Sequence, residues 1–444
     1  MFTGWMHYAD TEIVNEARLA AYATALNIPG FQCEECPTLR TSLEQDPYTN
    51  PTDDDAPWYD PSIAESAQVA GFQILSINGL GDTGSRRVDQ LARDGAVVGP
   101  RRRASREITM NLVAVAATEC AASYAVSWLS RVLRGQQCSP INSQSAIVPT
   151  TCSTSALCLL TCCPTVPADM AKYQVSLFKV GVTEGPTVVK HQSTLTSGDA
   201  CGLVICEVEI VFTAGDPGWY SQPITLVDNV DIVDFYVSTS LIFDITVTRD
   251  SLGCGNNLGC LDEFELVVPP GCATTDPVIP SVLPQPCTGD SSPYSNFYSI
   301  PVDMTGISTW MDLVPMIYYT GSPEGPGDVP SEGPIDIQLR RPTVDEPCGE
   351  IANPCNSCIE AYSPVFERGE RNVLDWVNRK GFRLNSSNTN LCPFPIYTRE
   401  LAPFRWQTIT CGPEMCLDVF INADNDGRAG KIQLDVMRRQ DALC

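Results

Sequence analysis

Three places in the sequence combine residue types that could do chemistry. Asp82-Thr83-Gly84-Ser85 spells the signature of aspartic proteases, where a carboxylate on a tight turn shares a proton with a symmetric partner and the pair activates water. That chemistry needs a second such loop, and no other Asp-Thr-Gly or Asp-Ser-Gly occurs. The flanks Gly79-Leu80-Gly81 and Arg86-Arg87 lack an apolar strand leading into the turn, so a surface turn is expected and an aspartic hydrolase around Asp82 is the enzymatic alternative. Cys33-x-x-Cys36 and Cys355-x-x-Cys358, with Cys348 nearby, have the spacing of zinc half-sites. They lie more than 300 residues apart, and the chain's two histidines, His7 and His191, stand near neither. Structural thiols or disulfides are therefore expected, and no metal. Asn422-x-Asp424-x-Asp426-Gly427 opens like an EF-hand loop but has Gln433 where the bidentate Glu belongs, which favours a hairpin bend. Asn385-Ser386-Ser387 fits a glycosylation sequon that matters only on a secretory route. No cofactor is implied.

Charge is the next feature. Acids outnumber bases 53 to 28, giving a net charge of -25, which excludes stable nucleic-acid binding by broad phosphate neutralisation. Yet residues 86–106 hold seven arginines against Asp89 and Asp94. The triplet Arg101, Arg102 and Arg103 is better matched to acidic protein segments such as Asp53, Asp54 and Asp55 than to phosphate, and in a homo-oligomer the acid can come from a neighbouring copy.

These residues need elements to hold them. A chain of 444 residues, 43% hydrophobic and 18% charged, folds and has room for about three domains. Residues Asp10 to Asn27 read as a helix capped at Asp10 or Thr11, with Val14, Ala17, Ala21 and Ala25 on one stripe. Residues Gln32 to Pro61 are acidic and proline-rich and read as an exposed arm. Ile108 to Val115 reads as a strand, and Thr118 to Arg134 as a helix whose stripe places Tyr124, Trp128 and Leu129 in a core. Period-two alternation follows at Val208-Ile210-Phe212, Leu241-Phe243-Ile245-Val247, Ile335-Ile337-Leu339, Leu417-Val419-Ile421 and Ile432-Leu434-Val436. Residues Gly253 to Pro293 read as a Cys/Pro-rich connector.

Leu112 to Leu129, the most apolar stretch, is broken by Glu119, Ser123 and Ser127, so no membrane span is expected. The N-terminus has no basic and apolar leader, which points to synthesis in a cytoplasm, whereas 21 cysteines suit an oxidising environment. The odd count leaves at least one unpaired within the chain, with Cys444 the candidate; Cys254 with Cys260, or Cys411 with Cys416, are close enough to pair.

One ordered set of motifs runs through this pattern. Val97-Val98-Gly99 precedes the arginine run, Arg106-Glu107-Ile108-Thr109 opens a strand, and a helix carries Trp128-Leu129 and Leu133. Val208-Glu209-Ile210-Val211-Phe212 then leads to Gly215-Asp216-Pro217-Gly218-Trp219-Tyr220, and Phe366 to Asp375, Trp406 to Gly412 and Leu417 follow. The set resembles the distal tail protein family of long-tailed bacteriophages, and is most similar to minor tail proteins of actinobacterial phages. The resemblance spans most of residues 65–240 and 295–437; the many cysteines and the long acidic arm depart from it.

The resemblance implies a mainly β (α+β) fold, with a helix-containing N-terminal domain that assembles into a ring and a C-terminal galectin-like β-sandwich. The expected boundaries are an N-terminal helix and arm at 1–64, a ring-forming domain at 65–240, a connector at 241–294 and a sandwich at 295–444. It further implies a non-enzymatic virion protein of the tail tip, assembled in the bacterial cytoplasm as a homo-oligomer, a hexamer by family analogy. Its partners would be the tail tube protein, the tape measure protein and other tip or baseplate proteins. A host-adhesion subunit whose sandwich grips carbohydrate is the alternative structural role. A lumen lined with carboxylates would repel passing DNA rather than bind it.

Overall fold

The computed structural model describes residues 2–9, 11–90, 96–134, 155–194, 203–231, 296–305, 307, 312–320, 333–342, 347–348, 357–366, 371–377, 379–384, 391–394, 396–397, 404, 406, 408–409, 414–421 and 430–443. The chain divides into two compact units: Met1–Asn142, Pro149–Gln222 and Arg438–Cys444 form the first, and Ser143–Val148 with Pro223–Met437 the second. Both are built mainly from strands, with few helices.

In the first unit a hairpin of β1 (Phe2–Tyr8) and β2 (Thr11–Asn15) leads into α1 (Glu16–Ala25) and the short α2 (Leu39–Ser42). After β3 (Val69–Asn78), a separate two-stranded ribbon of β4 (Gly84–Gln90) and β5 (Ala96–Arg103) precedes β6 (Arg106–Ala116). Then come α3 (Glu119–Leu133), β7 (Ser155–Leu160), the single-turn α4 (Met170–Tyr173), β8 (Gln174–Thr194), β9 (Leu203–Ala214) and β10 (Trp219–Ser221). Antiparallel pairing runs β2-β1-β7-β8-β9-β6-β3.

The alternation read in β9 is what the sheet uses: Val204, Cys206, Val208, Ile210 and Phe212 are buried while Glu207 and Glu209 lie on the other face. Helix α3 packs over the buried face. Its Thr118 side chain caps the first turn by accepting from the Ala121 amide at 3.3 Å, and Ala121, Ala122, Ala125, Leu129 and Leu133 form its buried stripe. Small residues let the helix sit close to the strands. Trp128 and Tyr124 flank that stripe and are only half-buried. Trp128 stacks on Phe72 with centroids 5.5 Å apart and meets Trp58 edge-on, and the Tyr124 hydroxyl donates to the Trp58 carbonyl at 2.7 Å.

Two expectations are corrected here. The helix read from Asp10 begins only at Glu16, because Thr11–Asn15 pairs with β1 and Asn15 is the cap, accepting from the Arg18 amide at 3.1 Å. The segment Gln32 to Pro61 is no free arm: Cys36, Leu39, Ala56 and Trp58 are buried, and the Trp58 indole donates to the Val69 carbonyl at 3.2 Å. Its acids and prolines shape turns between these anchors.

The second unit holds β11 (Ile224–Asp231), β12 (Asn296–Asp303), β13 (Asp312–Thr320), β14 (Gly333–Arg340), β15 (Ser357–Phe366), β16 (Arg371–Asp375), β17 (Lys380–Leu384), β18 (Leu391–Phe394) and β19 (Glu414–Ile421). β20 (Lys431–Gln440) starts here, and its last residues belong to the first unit. One sheet has the order β18-β17-β16-β13-β20, with β11 also on β20; the other is β12-β19-β14-β15. Ile335, Ile337, Leu339, Leu417, Val419, Ile432, Leu434 and Val436 are all buried, as their alternation requires. Polar residues between them are buried too: Arg340 and Asp418 form an enclosed ion pair, and Ser299 donates to the same carboxylate at 2.5 Å.

Cys416 bonds to Cys348, not to Cys411, and Cys36 bonds to Cys163. The connector 241–294, the strand at Leu241, the pair Cys254 and Cys260, Cys355, Asn385, Cys411, Asn422 to Gly427 and Cys444 lie outside the described residues.

Candidate interaction surface

The strand run β8-β9-β6-β3 has two unlike faces. The face turned from α3 carries Glu107, Thr109 and Asn111 of β6 opposite Thr213, Val211 and Glu209 of β9, with Glu207 beside Val113 and Lys190. Glu184 joins it opposite Val211, Asn111 donates to Ser76 at 2.9 Å, and the Thr183 and Thr213 hydroxyls stand 3.1 Å apart. Four carboxylates against Lys190 make this polar surface acidic, while the buried face of the same strands is aliphatic.

The arginine-rich segment forms the β4–β5 ribbon, in which Arg86 lies opposite Arg101 and Ser85 opposite Arg102. Arg102 and Arg103 are exposed, and Arg103 donates to Asp441 of its own unit at 3.0 Å. On the acidic side, the Asp54 carboxylate accepts from the Thr49 amide and hydroxyl at 2.7 and 2.9 Å, and Asp53 accepts from Asn50 at 2.7 Å. Asp53 and Asp55 remain exposed, Asp55 with a left-handed φ of 47°.

Behind the ribbon lies a polar knot that residue types alone did not reveal. Arg106, fully buried, donates to the carbonyls of Pro217 (2.7 Å), Gly79 (2.7 Å), Gly81 (2.6 Å) and Asp441 (2.5 Å), and its guanidinium sits 5.6 Å from the Trp219 ring centre. Burial lowers its pKa, and Asp441 and Asp82 oppose that shift. Gly79, at φ +90°, leaves no room for a Cβ against the Glu107 carbonyl, so the carbonyl it offers Arg106 depends on glycine. Beside it, Asp216 accepts from the Gly218 amide (3.1 Å), the Tyr220 hydroxyl (2.9 Å) and Arg439 (3.1 Å). The motifs Arg106-Glu107 and Gly215 to Tyr220, with Arg106 and Pro217 111 residues apart, thus meet in one place. Their order along the chain was readable; the part played by Arg439 and Asp441 had no sequence signal.

Glu16 is a second buried charge that the sequence did not flag. Its carboxylate accepts the Cys36 amide at 2.5 Å, and burial, with Glu35 and Glu34 adding to it, pushes its pKa up to about 7. The Cys36 bond to Cys163 takes one thiol of the first zinc-like pair out of play, leaving Cys33 free and exposed. Among the described residues no group of three or more His, Cys, Asp or Glu is placed to hold a metal. Asp82 is exposed and accepts the Gly84 amide at 2.7 Å, the geometry of a turn leading into β4. No helix among the described residues is long and apolar enough to cross a membrane.

No protein-family model matches the chain, and no curated protein sequence matches it. Among solved structures it is similar to the SPP1 Dit protein, described as a paradigm of the hub adsorption apparatus in phages infecting Gram-positive bacteria. The overlap covers 83% of this chain and 93% of that one at 10% identity, with a TM-score of 0.35, too slight to define a common fold.

Proposed function

We propose that the chain is a structural protein of a phage tail: a distal tail component whose first unit assembles into a ring joining the tail tube to the tip, and whose second unit docks other tip proteins. The observation that supports this reading is the convergence of the resembling motifs. Arg106 and Gly215 to Tyr220, quoted from separate parts of the sequence, form one buried knot that closes the strand unit expected to build the ring. On this reading the carboxylates of Glu107, Glu184, Glu207 and Glu209 serve a surface that must not retain DNA, and the ribbon bearing Arg101, Arg102 and Arg103 meets acids of a neighbouring copy, with Asp53, Asp54 and Asp55 the candidates. The partners are the tail tube, tape measure and other tip proteins, and the site of action is the virion.

Electron microscopy of the purified protein and of virion tips tests this, together with light scattering at varied concentration and salt. A ring, six-membered by family analogy, is the expected result. A strict monomer at low salt, with no copies in virions, overturns it.

A further inference from the structure

We propose that the junction of Cys33, Cys36, Cys162 and Cys163 is a thiol–disulfide exchange site, where the exposed Cys33 thiol opens the Cys36–Cys163 bond from within the chain. The proposal goes beyond the ring reading and does not depend on it. The bond ties the segment that enters α2 to the turn after β7. Cys33 stands three residues before one half of it and Cys162 directly before the other, and both are free and exposed. Two cysteine pairs far apart in sequence thereby share one place.

Of the two free thiols, Cys33 is the one placed to take over the bond. Adjacent residues have Cα atoms about 3.8 Å apart, short of the roughly 4.4–6.8 Å that a disulfide spans, so a Cys162–Cys163 bond demands a distorted backbone. Cys162 keeps to its own turn, with its sulfur 3.7 Å from the Thr161 hydroxyl. The Cys33-x-x-Cys36 spacing, in contrast, closes a small ring and is the spacing of dithiol exchange. Access favours the same route. Cys36 is fully buried and Cys163 half-buried, so a thiol from solution meets a covered bond. Cys33 is tethered beside that bond on residues 31–37, which belong to no helix or strand, and a tethered nucleophile has a far higher effective concentration than a free one. Glu16 fixes the far end of this short loop by accepting the Cys36 amide at 2.5 Å.

The step balances without an oxidant or a reductant. The Cys33 thiolate attacks Cys36 Sγ, and the Cys33–Cys36 bond forms as the Cys36–Cys163 bond breaks. Cys163 leaves as a thiolate and takes up the proton that Cys33 gave up. The Thr38 hydroxyl donates to the Pro164 carbonyl, a tie between the same two segments that needs no disulfide, so Cys163 stays within reach and the exchange is reversible. Opening the bond loosens a small apolar cluster of Phe2, Trp5, Ala17, Cys36, Leu39 and Leu160, set apart from the main core of the first unit.

The experiment uses the folded full-length protein with its disulfides formed. It is exposed to dithiothreitol at about pH 8.5, where thiols ionise, then quenched in acid, alkylated and mapped by mass spectrometry. The expected intermediate carries a Cys33–Cys36 bond and an alkylated Cys163. Cys33→Ser should slow the appearance of free Cys163 by about tenfold or more, with an unchanged melting temperature because Cys33 is exposed and unbonded. Cys162→Ser should leave that rate as it is. Equal rates in the parent and in Cys33→Ser, a rate lost in Cys162→Ser instead, or no trapped Cys33–Cys36 species in the parent overturns the proposal. So does a parent protein that already holds a Cys33–Cys162 bond.

Discussion

At the scale of single residues, two buried charges set the expectations. Arg106 serves four carbonyls with one planar fork, a geometry an ammonium cannot reproduce. Arg106→Lys should lower unfolding free energy by at least about 3 kcal/mol, because several charge-assisted hydrogen bonds are lost and buried carbonyls are orphaned. Denaturant titration measures this. Glu16 acts through pH. Its folded pKa of about 7 lies above the ordinary 4.5, so the native state binds more protons than the unfolded chain between those values. The contribution of this group is fully present below about 4.5 and is lost as pH rises through 7. Glu16→Gln keeps an acceptor for the Cys36 amide, so the stability difference between parent and variant should shift in the variant's favour across that window. A difference independent of pH would count against the buried-carboxylate account.

Among the elements, periodicity was the legible part and capping context the illegible part. The strands β9, β14, β19 and β20 and the limits of α3 follow from alternation and from Thr118, because both faces of those segments differ in polarity. The helix start at Glu16 did not, since Thr11–Asn15 acquires its strand character from pairing with β1, a tertiary effect absent from the local pattern. Trp128 teaches a related lesson: a stripe tells which side faces inward, not how wide the buried zone is. Trp128→Ala should therefore cost about 2 kcal/mol, short of the ~3–5 typical of a fully enclosed tryptophan, as a thermal or denaturant melt will show. The disulfides join segments no spacing rule connects, 127 and 68 residues apart. Constraining such loops in the unfolded chain is worth about 2–5 kcal/mol each, so reductant should lower the melting temperature while a chelator leaves it in place.

On the scale of the whole molecule, the first unit is assembled from three stretches of chain, the last being residues 438–444. Those residues pair with β10, Trp219 opposite Gln440 and Tyr220 opposite Arg439, and Ser221 accepts from the Arg438 amide at 2.9 Å. Truncation after Met437 should thus destabilise a unit that lies more than 200 residues upstream. Near-UV circular dichroism and protease resistance of residues 1–134 are the readouts. None of this was visible in the sequence, because Arg438 to Gln440 are only the end of strand β20, whose start belongs to the second unit, and nothing local names β10 as their partner. The acidic surface was only half legible: Glu207 and Glu209 announce an outward face, while Glu107 and Glu184 join it through registers that alternation does not specify.

The split first unit also sets a timetable for synthesis. When Trp219 and Tyr220 leave the ribosome, β8 is there to pair with them on one side, but β20 on the other has yet to be translated, and Arg106 still lacks its acceptor at Asp441. At about 5–20 residues per second, the missing piece arrives roughly 10–40 s later, long after a strand unit of this size can begin to collapse. The second unit, nearly contiguous in sequence, has its residues available first, and the first unit must wait, incompletely closed, for residues 438–441. Nascent chains stalled before residue 438 should accordingly bind chaperones through the first unit, and a stop codon just before residue 438 would act as a folding defect in strands made more than 200 residues earlier.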